Sequence, residues 1–66
     1  MTILSRTPVS CEETRYLVDC PQGRITVVAS IYGQCRATPH DSNITERDLE
    51  QAIKLAQEAE QEDRRS

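Results

Sequence analysis

Apolar residues recur at two different periods along this 66-residue chain. In the C-terminal third, Leu49, Ala52, Ile53, Ala56 and Ala59 follow the i, i+3, i+4, i+7, i+10 spacing that lines one side of an α-helix, and Leu55 widens the stripe. Three start signals precede it. Thr45 is placed as N-cap, Asp48 at the third helical position completes a short-armed capping box, and Ile44 can staple onto Leu49. Glu50 with Lys54 and Glu60 with Arg64 are correctly oriented i,i+4 pairs, each worth about 0.2–0.5 kcal/mol. Arg64 and Arg65 suit the negative end of the helix dipole. The spacing predicts a helix over about residues 45–62, with 63–66 frayed because nothing apolar follows Ala59.

Upstream the period shortens to two. The segments "TRYLVDC" and "RITVVASIY" are rich in Thr, Val, Ile and Tyr and flank "PQG", which predicts an antiparallel hairpin turning at 21–23. Two rules disagree about its register. A three-residue loop with Gly23 in a left-handed position pairs Cys20 with Arg24 and puts Tyr16 and Val18 on the side of Thr26 and Val28. Hydrophobic matching instead joins Tyr16 and Val18 to Ile25 and Val27. Turn chemistry therefore predicts a core face of Leu17, Ile25, Val27, Ala29 and Ile31, leaving Tyr16, Val18, Val28 and Tyr32 opposite. A competing local signal lies in "SCEE", residues 10–13, a full capping box with Val9 in the staple position that could open a short helix over 11–19. The β-branched content of that stretch favours the strand. "TILS" and "CRAT" can each add a short edge strand, and "PHDSN" is a loop by composition. The expected fold is a single α+β domain spanning 1–66, with two to four antiparallel strands and one C-terminal amphipathic helix packed on them.

Composition makes the core thin. There is no Trp or Phe, and Tyr16 and Tyr32 are the only aromatics. A chain of this length buries only about 60% of its unfolded surface, and small domains offset such a deficit with disulfides, a metal or self-association. Cys11, Cys20 and Cys35 are odd in number and "MTILSRTP" carries no secretory pattern, so reduced thiols and a cytoplasmic location are expected. No apolar run reaches the roughly 18–20 residues of a membrane span. Charge is uneven. Residues 1–45 balance four arginines against four carboxylates, whereas residues 46–66 hold four cations against seven carboxylates and carry the whole net charge of −3.

Candidate chemistry gathers in "CRATPHD", residues 35–41, where a thiol, the only histidine and a carboxylate fall together. Four potential zinc ligands exist in Cys11, Cys20, Cys35 and His40, but without a C-x2-C pair to nucleate a site. A Cys35/His40 nucleophile pair would need an orienting group, an oxyanion site and a cleft, and Gly23 and Gly33 are too few glycines for a phosphate loop. A non-enzymatic protein without cofactors is expected. Its function is then binding, to a protein partner or to itself as a homodimer, in the manner of a bacterial or phage inhibitor that occupies a partner surface. Tyr16, Val18, Val28 and Tyr32 are the expected apolar anchors, Arg15 and Arg24 the rim, and Glu46, Glu50 and Glu58 a separate acidic helix face. The alternatives are an arginine-bearing β-ribbon that contacts nucleic acid, for which Arg15, Arg24 and Arg36 supply the cations, and a small zinc-stabilised domain.

Overall fold

The segments on either side of Pro21 and Gln22 pair along their whole length in the computed structural model of the chain. Strand β2 (Glu13–Cys20) runs antiparallel to β3 (Gly23–Ser30), with Cys20 opposite Gly23, Val18 opposite Ile25 and Tyr16 opposite Val27. Strand β1 (Thr2–Pro8) joins the outer side of β2, and β4 (Cys35–Pro39) the outer side of β3, giving a four-stranded antiparallel meander in the order β1-β2-β3-β4. Helix α1 (Glu46–Arg65) packs across one face, mainly on β4 and β3, with lighter contact to β2. The structure describes residues 1–65, with side chains described through residue 62. The expected fraying of 63–66 concerns positions whose side chains lie outside that description. The α+β architecture and the C-terminal helix agree with the sequence pattern, and residues 13–19 form a strand rather than a short helix.

The hairpin takes the register of hydrophobic matching, which corrects the face assignment made from turn chemistry. Only Pro21 and Gln22 form the loop, and Gly23 is the first residue of β3 with φ +146°, a conformation that side-chain-bearing residues rarely adopt. A Cβ at Gly23 would also lie 2.7 Å from Asp41 Cβ, so the loop before the helix crosses close under this corner. Tyr16, Val18 and Cys20 consequently face the helix beside Ile25, Val27 and Ala29. Leu17, expected in the core, is half-buried on the opposite face, and Ile31, also expected there, is exposed in the β3–β4 turn. Each fully buried Tyr or Val side chain gains about 1.5–3 kcal/mol over exposure, more than a preference among hairpin loops supplies.

Small residues bring the helix close to the sheet. Ala52 and Ala56 are completely buried against the strands, while Ile44, Leu49, Ile53, Leu55 and Ala59 close the margins. The expected capping box forms. Asp48 N–H donates to Thr45 Oγ1 at 3.4 Å, Thr45 N–H donates to Asp48 Oδ2 at 3.1 Å, and Ile44 and Leu49 both pack on the core margin. Just before it, Asp41 Oδ1 accepts from Asn43 N–H at 3.0 Å, turning the chain out of β4 and into the helix.

Because α1 is the only cover for the core face among the described residues, its cap carries stability for the whole domain. Thr45→Ala is expected to cost about 0.5–2 kcal/mol, read as a lowered midpoint in chemical denaturation with an unchanged m-value. A loss below about 0.3 kcal/mol would show that the cap does not anchor the helix.

Candidate interaction face

Helix α1 covers one side of the sheet and leaves the other bare. Because directly opposed residues on neighbouring strands share a face, the pairings define rows across the open side. One row runs Thr7, Arg15, Val28, Arg36, the next Ser5, Leu17, Thr26, Thr38, and the third Thr2, Asp19, Arg24. His40 continues this side, its N–H donating to Arg24 O at 2.8 Å and its Nε2 meeting Thr26 Oγ1 within hydrogen-bond distance. The open face thus centres on Leu17 and Val28, both half-buried, among threonines and three exposed arginines. The neighbours of Arg15 in its row, Thr7 and Val28, are uncharged, and Arg36 also abuts Val28. Arg24 lies directly opposite Asp19.

The structure divides the residues expected on one interaction surface. Val28, Arg15 and Arg24 lie on the open face. Tyr16 and Val18 do not. They are 1% and 0% exposed beneath the helix, so they are core residues and the expected surface loses two of its anchors. Tyr32 is 73% exposed in the turn between β3 and β4, where its hydroxyl lies 3.4 Å from Glu12 Oε1. Beside it Ile31 donates its N–H to Glu12 O at 2.9 Å, so the β3–β4 turn meets the β1–β2 turn at one end of the sheet. Val9, half exposed in the β1–β2 turn, lines a shallow depression with Arg15, Val28 and Arg36 and connects that end to the open face. Glu46, Glu50 and Glu58 are exposed on α1, on the other side of the sheet.

Sequence reasoning missed Leu17 as an open-face residue and left Arg36 outside the expected surface. The signal for both is alternation read through the register. Along β2, Tyr16, Val18 and Cys20 alternate with Arg15, Leu17 and Asp19, and only the first set is free of charge. It also missed Arg6 and Glu60. Arg6 pairs with Tyr16 across β1 and β2, and the Tyr16 hydroxyl donates to Glu60 Oε1 on α1 at 3.2 Å, so one phenol ties two strands to the helix.

The four potential metal ligands do not converge. Cys35 pairs with Ala29, which pairs with Thr14, so Cys35 and Cys11 belong to one end of the sheet. Cys20 and His40 lie at the other end, roughly 20 Å along the strands. Cys20 is buried on the helix side and its thiol donates to Gly23 O at 3.1 Å, whereas His40 reaches Thr26 on the open side. No group of three or more His, Cys, Asp or Glu side chains suited to a metal forms among the described residues, and the zinc alternative fails on this geometry. Cys35 and His40, at opposite ends of β4, also cannot act as a nucleophile and base. A cleft of about 290 Å³ between the β3–β4 turn and α1, walled by Ala29, Ile31, Cys35, Gln57 and Glu60, falls at the bottom of the size range of small-molecule sites.

The chain matches no known family model, no curated protein and no solved structure.

Burial, and then the charge and hydrogen bond of Glu60, push the Tyr16 phenol above its ordinary value of 10.0, with Arg6 pulling the other way. The folded chain therefore holds this proton more tightly than the unfolded chain. Stability tied to the protonated phenol is intact below pH about 10 and is lost as pH rises from there through the higher folded pKa. Tyr16→Phe is expected to cost about 0.5–1.5 kcal/mol at neutral pH and to flatten the decline of stability above pH about 10, followed by denaturant midpoints across pH. An alkaline decline that is equally steep in Tyr16→Phe would refute this role for the phenol.

Proposed function

We propose that the chain is a small, non-catalytic binding protein of the cytoplasm that docks a protein partner on the open face of its sheet. The observation that carries this reading is the row in which Arg15 and Arg36 flank Val28, on the side the helix leaves bare. An apolar centre bordered by arginine, without lysine, is the composition of protein interfaces. The partner surface that fits it offers apolar contact and a carboxylate within reach of the arginines. Such a protein acts by occupation, as an inhibitor or as a subunit of a complex, and needs no deep cleft. Free thiols at Cys11, Cys20 and Cys35 suit a reducing compartment, and no helix among the described residues is long and apolar enough to cross a membrane.

A second reading, contact with nucleic acid, is favoured by the emergence of Arg15, Arg24 and Arg36 on one face while the helix carboxylates lie on the other. The net charge of −3 is therefore a weaker objection than it looks in the sequence. Glu13 and Asp19 share that face with the arginines, which keeps protein the better-supported partner.

A photoreactive amino acid in place of Val28 tests both readings in producing cells. Arg15→Glu with Arg36→Glu is expected to reduce the protein adduct at least tenfold while far-UV circular dichroism is unchanged, since exposed substitutions of this kind shift stability by only about 0.5 kcal/mol. An adduct indifferent to the charge reversal would overturn the docking face. Recovery of a nuclease-sensitive adduct in place of protein would transfer the function to the second reading.

A further inference from the structure

The outward side of β2, at the middle of the open face, is complementary to a copy of itself. Resting on the docking reading above, we propose that its partner is a second copy of this chain, joined by a two-fold axis that crosses the strands at the row containing Leu17 and Thr26. Along β2 the outward residues read Glu13, Arg15, Leu17, Asp19. A two-fold axis through Leu17 and perpendicular to the strands inverts this order, so Leu17 meets its own copy and Arg15 of each chain faces Asp19 of the other. The same operation lays Thr26 on Thr26 from the second chain. Two reciprocal arginine–carboxylate pairs then border an apolar and threonine-rich centre, an isologous arrangement that closes at two subunits. Within one chain Arg15 and Asp19 are four residues apart along a strand, about 13 Å, and do not pair. Arg15 therefore meets the Asp19 carboxylate only between copies, while Arg24 of the same chain stands beside Asp19.

Surface area points the same way. The chain exposes 4788 Å², whereas a compact chain of its mass, 7.5 kDa, exposes about 4,250 Å². The excess, about 540 Å² per chain, is spread over the whole surface, the outward helix included, and leaves room for an interface just above the roughly 1,000 Å² that a specific dimer needs. Stacking two open faces about 10 Å apart forms a four-layer helix–sheet–sheet–helix particle. It places Leu17 in an interior, lays the aliphatic stem of Arg24 over Val28 of the other chain and brings Arg36 beside its His40, and it leaves both acidic helices outward, where their like charges are far apart. The alternative of pairing edges is opposed by the sequence itself. Strand β1 shifts register at Leu4 and ends in Pro8, and β4 is five residues long and ends in Pro39, both devices that blunt an edge.

The test uses light scattering on the full chain at about 1–100 μM (about 1–100-fold of a Kd near 1 μM), with circular dichroism to verify that each variant is folded. Wild type is expected at twice the chain mass. Arg15→Glu alone and Asp19→Arg alone each set like charges opposite one another twice, and each is expected to weaken the dimer at least tenfold. An equimolar mixture of the two variants restores it, because in the heterodimer the introduced carboxylate faces the introduced guanidinium and the untouched Asp19 faces the untouched Arg15. Leu17→Asp, at the axis, is expected to be monomeric and not to be rescued by mixing with either variant. A monomeric wild type overturns the second copy as partner and leaves the docking face to be decided by the crosslinking at Val28. A dimer that survives both single variants overturns the face, and loss in both without rescue on mixing overturns the two-fold arrangement.

Discussion

Everything in this fold depends on the register between β2 and β3. Setting Tyr16 opposite Val27 and Val18 opposite Ile25 buries both side chains under the helix, and a slip of one residue would send Arg15, Leu17 and Asp19 there in their place. Burying an unpaired guanidinium and carboxylate costs several kcal/mol each, and losing Tyr16 and Val18 from the core forfeits about 1.5–3 kcal/mol apiece. No choice of hairpin loop competes with that difference. The turn accordingly adapts to the strands: it shrinks to Pro21 and Gln22, and glycine at 23 takes up a backbone conformation with φ +146° that a side chain would resist.

What could be read from the sequence was what is decided locally. The helix, its cap at Thr45 and Asp48 and the staple from Ile44 to Leu49 were legible because each signal lies within five residues of its partner. The hairpin was legible because proline and glycine mark its position. The faces of the strands were not, since they follow from a pairing in which turn rules and burial conflict, and burial decides it. The alternation of charge along β2 already held the answer: Glu13, Arg15 and Asp19 share one face, and that face cannot be the core. Arg36 was harder to place. Its side is fixed only through β3, by the pairing with Val28, and β4 is too short to declare a period of its own. Ile31 continues the period of β3 in the sequence, but the strand ends at Ser30 and Ile31 falls in the turn.

The same register explains how a domain without Trp or Phe holds together. Tyr16 is the largest fully buried side chain, and Ala52 and Ala56 let the helix settle close to it. Its hydroxyl stays satisfied by Glu60 at the helix margin, with Arg6 of β1 beside it, so the polar end of the one core aromatic also connects the outermost strand to the helix. A core this thin protects one face of the sheet and has nothing left for the other. The exposed arginines, Leu17 and Val28 are the consequence of having a single helix, and they are what makes the open face available for contact.

The layered build also separates the charges. Between residues 46 and 62 six carboxylates stand against Arg47 and Lys54, and across the sheet Arg15, Arg24 and Arg36 stand against Glu13 and Asp19. The shorter dimensions of the molecule are 19 and 18 Å, about twice the screening length of roughly 8 Å at physiological ionic strength. A partner approaching the open face therefore meets three arginines opposed by Glu13 and Asp19 and little by the helix carboxylates, although the chain as a whole is acidic. Near 0.01 M salt the screening length grows to about 30 Å, and the helix carboxylates then act through the full thickness of the domain. For an acidic partner, weakening of the arginine contacts by added salt is partly offset by screening of this background repulsion. Its affinity should depend less steeply on salt than the three arginines alone imply, because the helix that completes the core also sets the field in which the opposite face works.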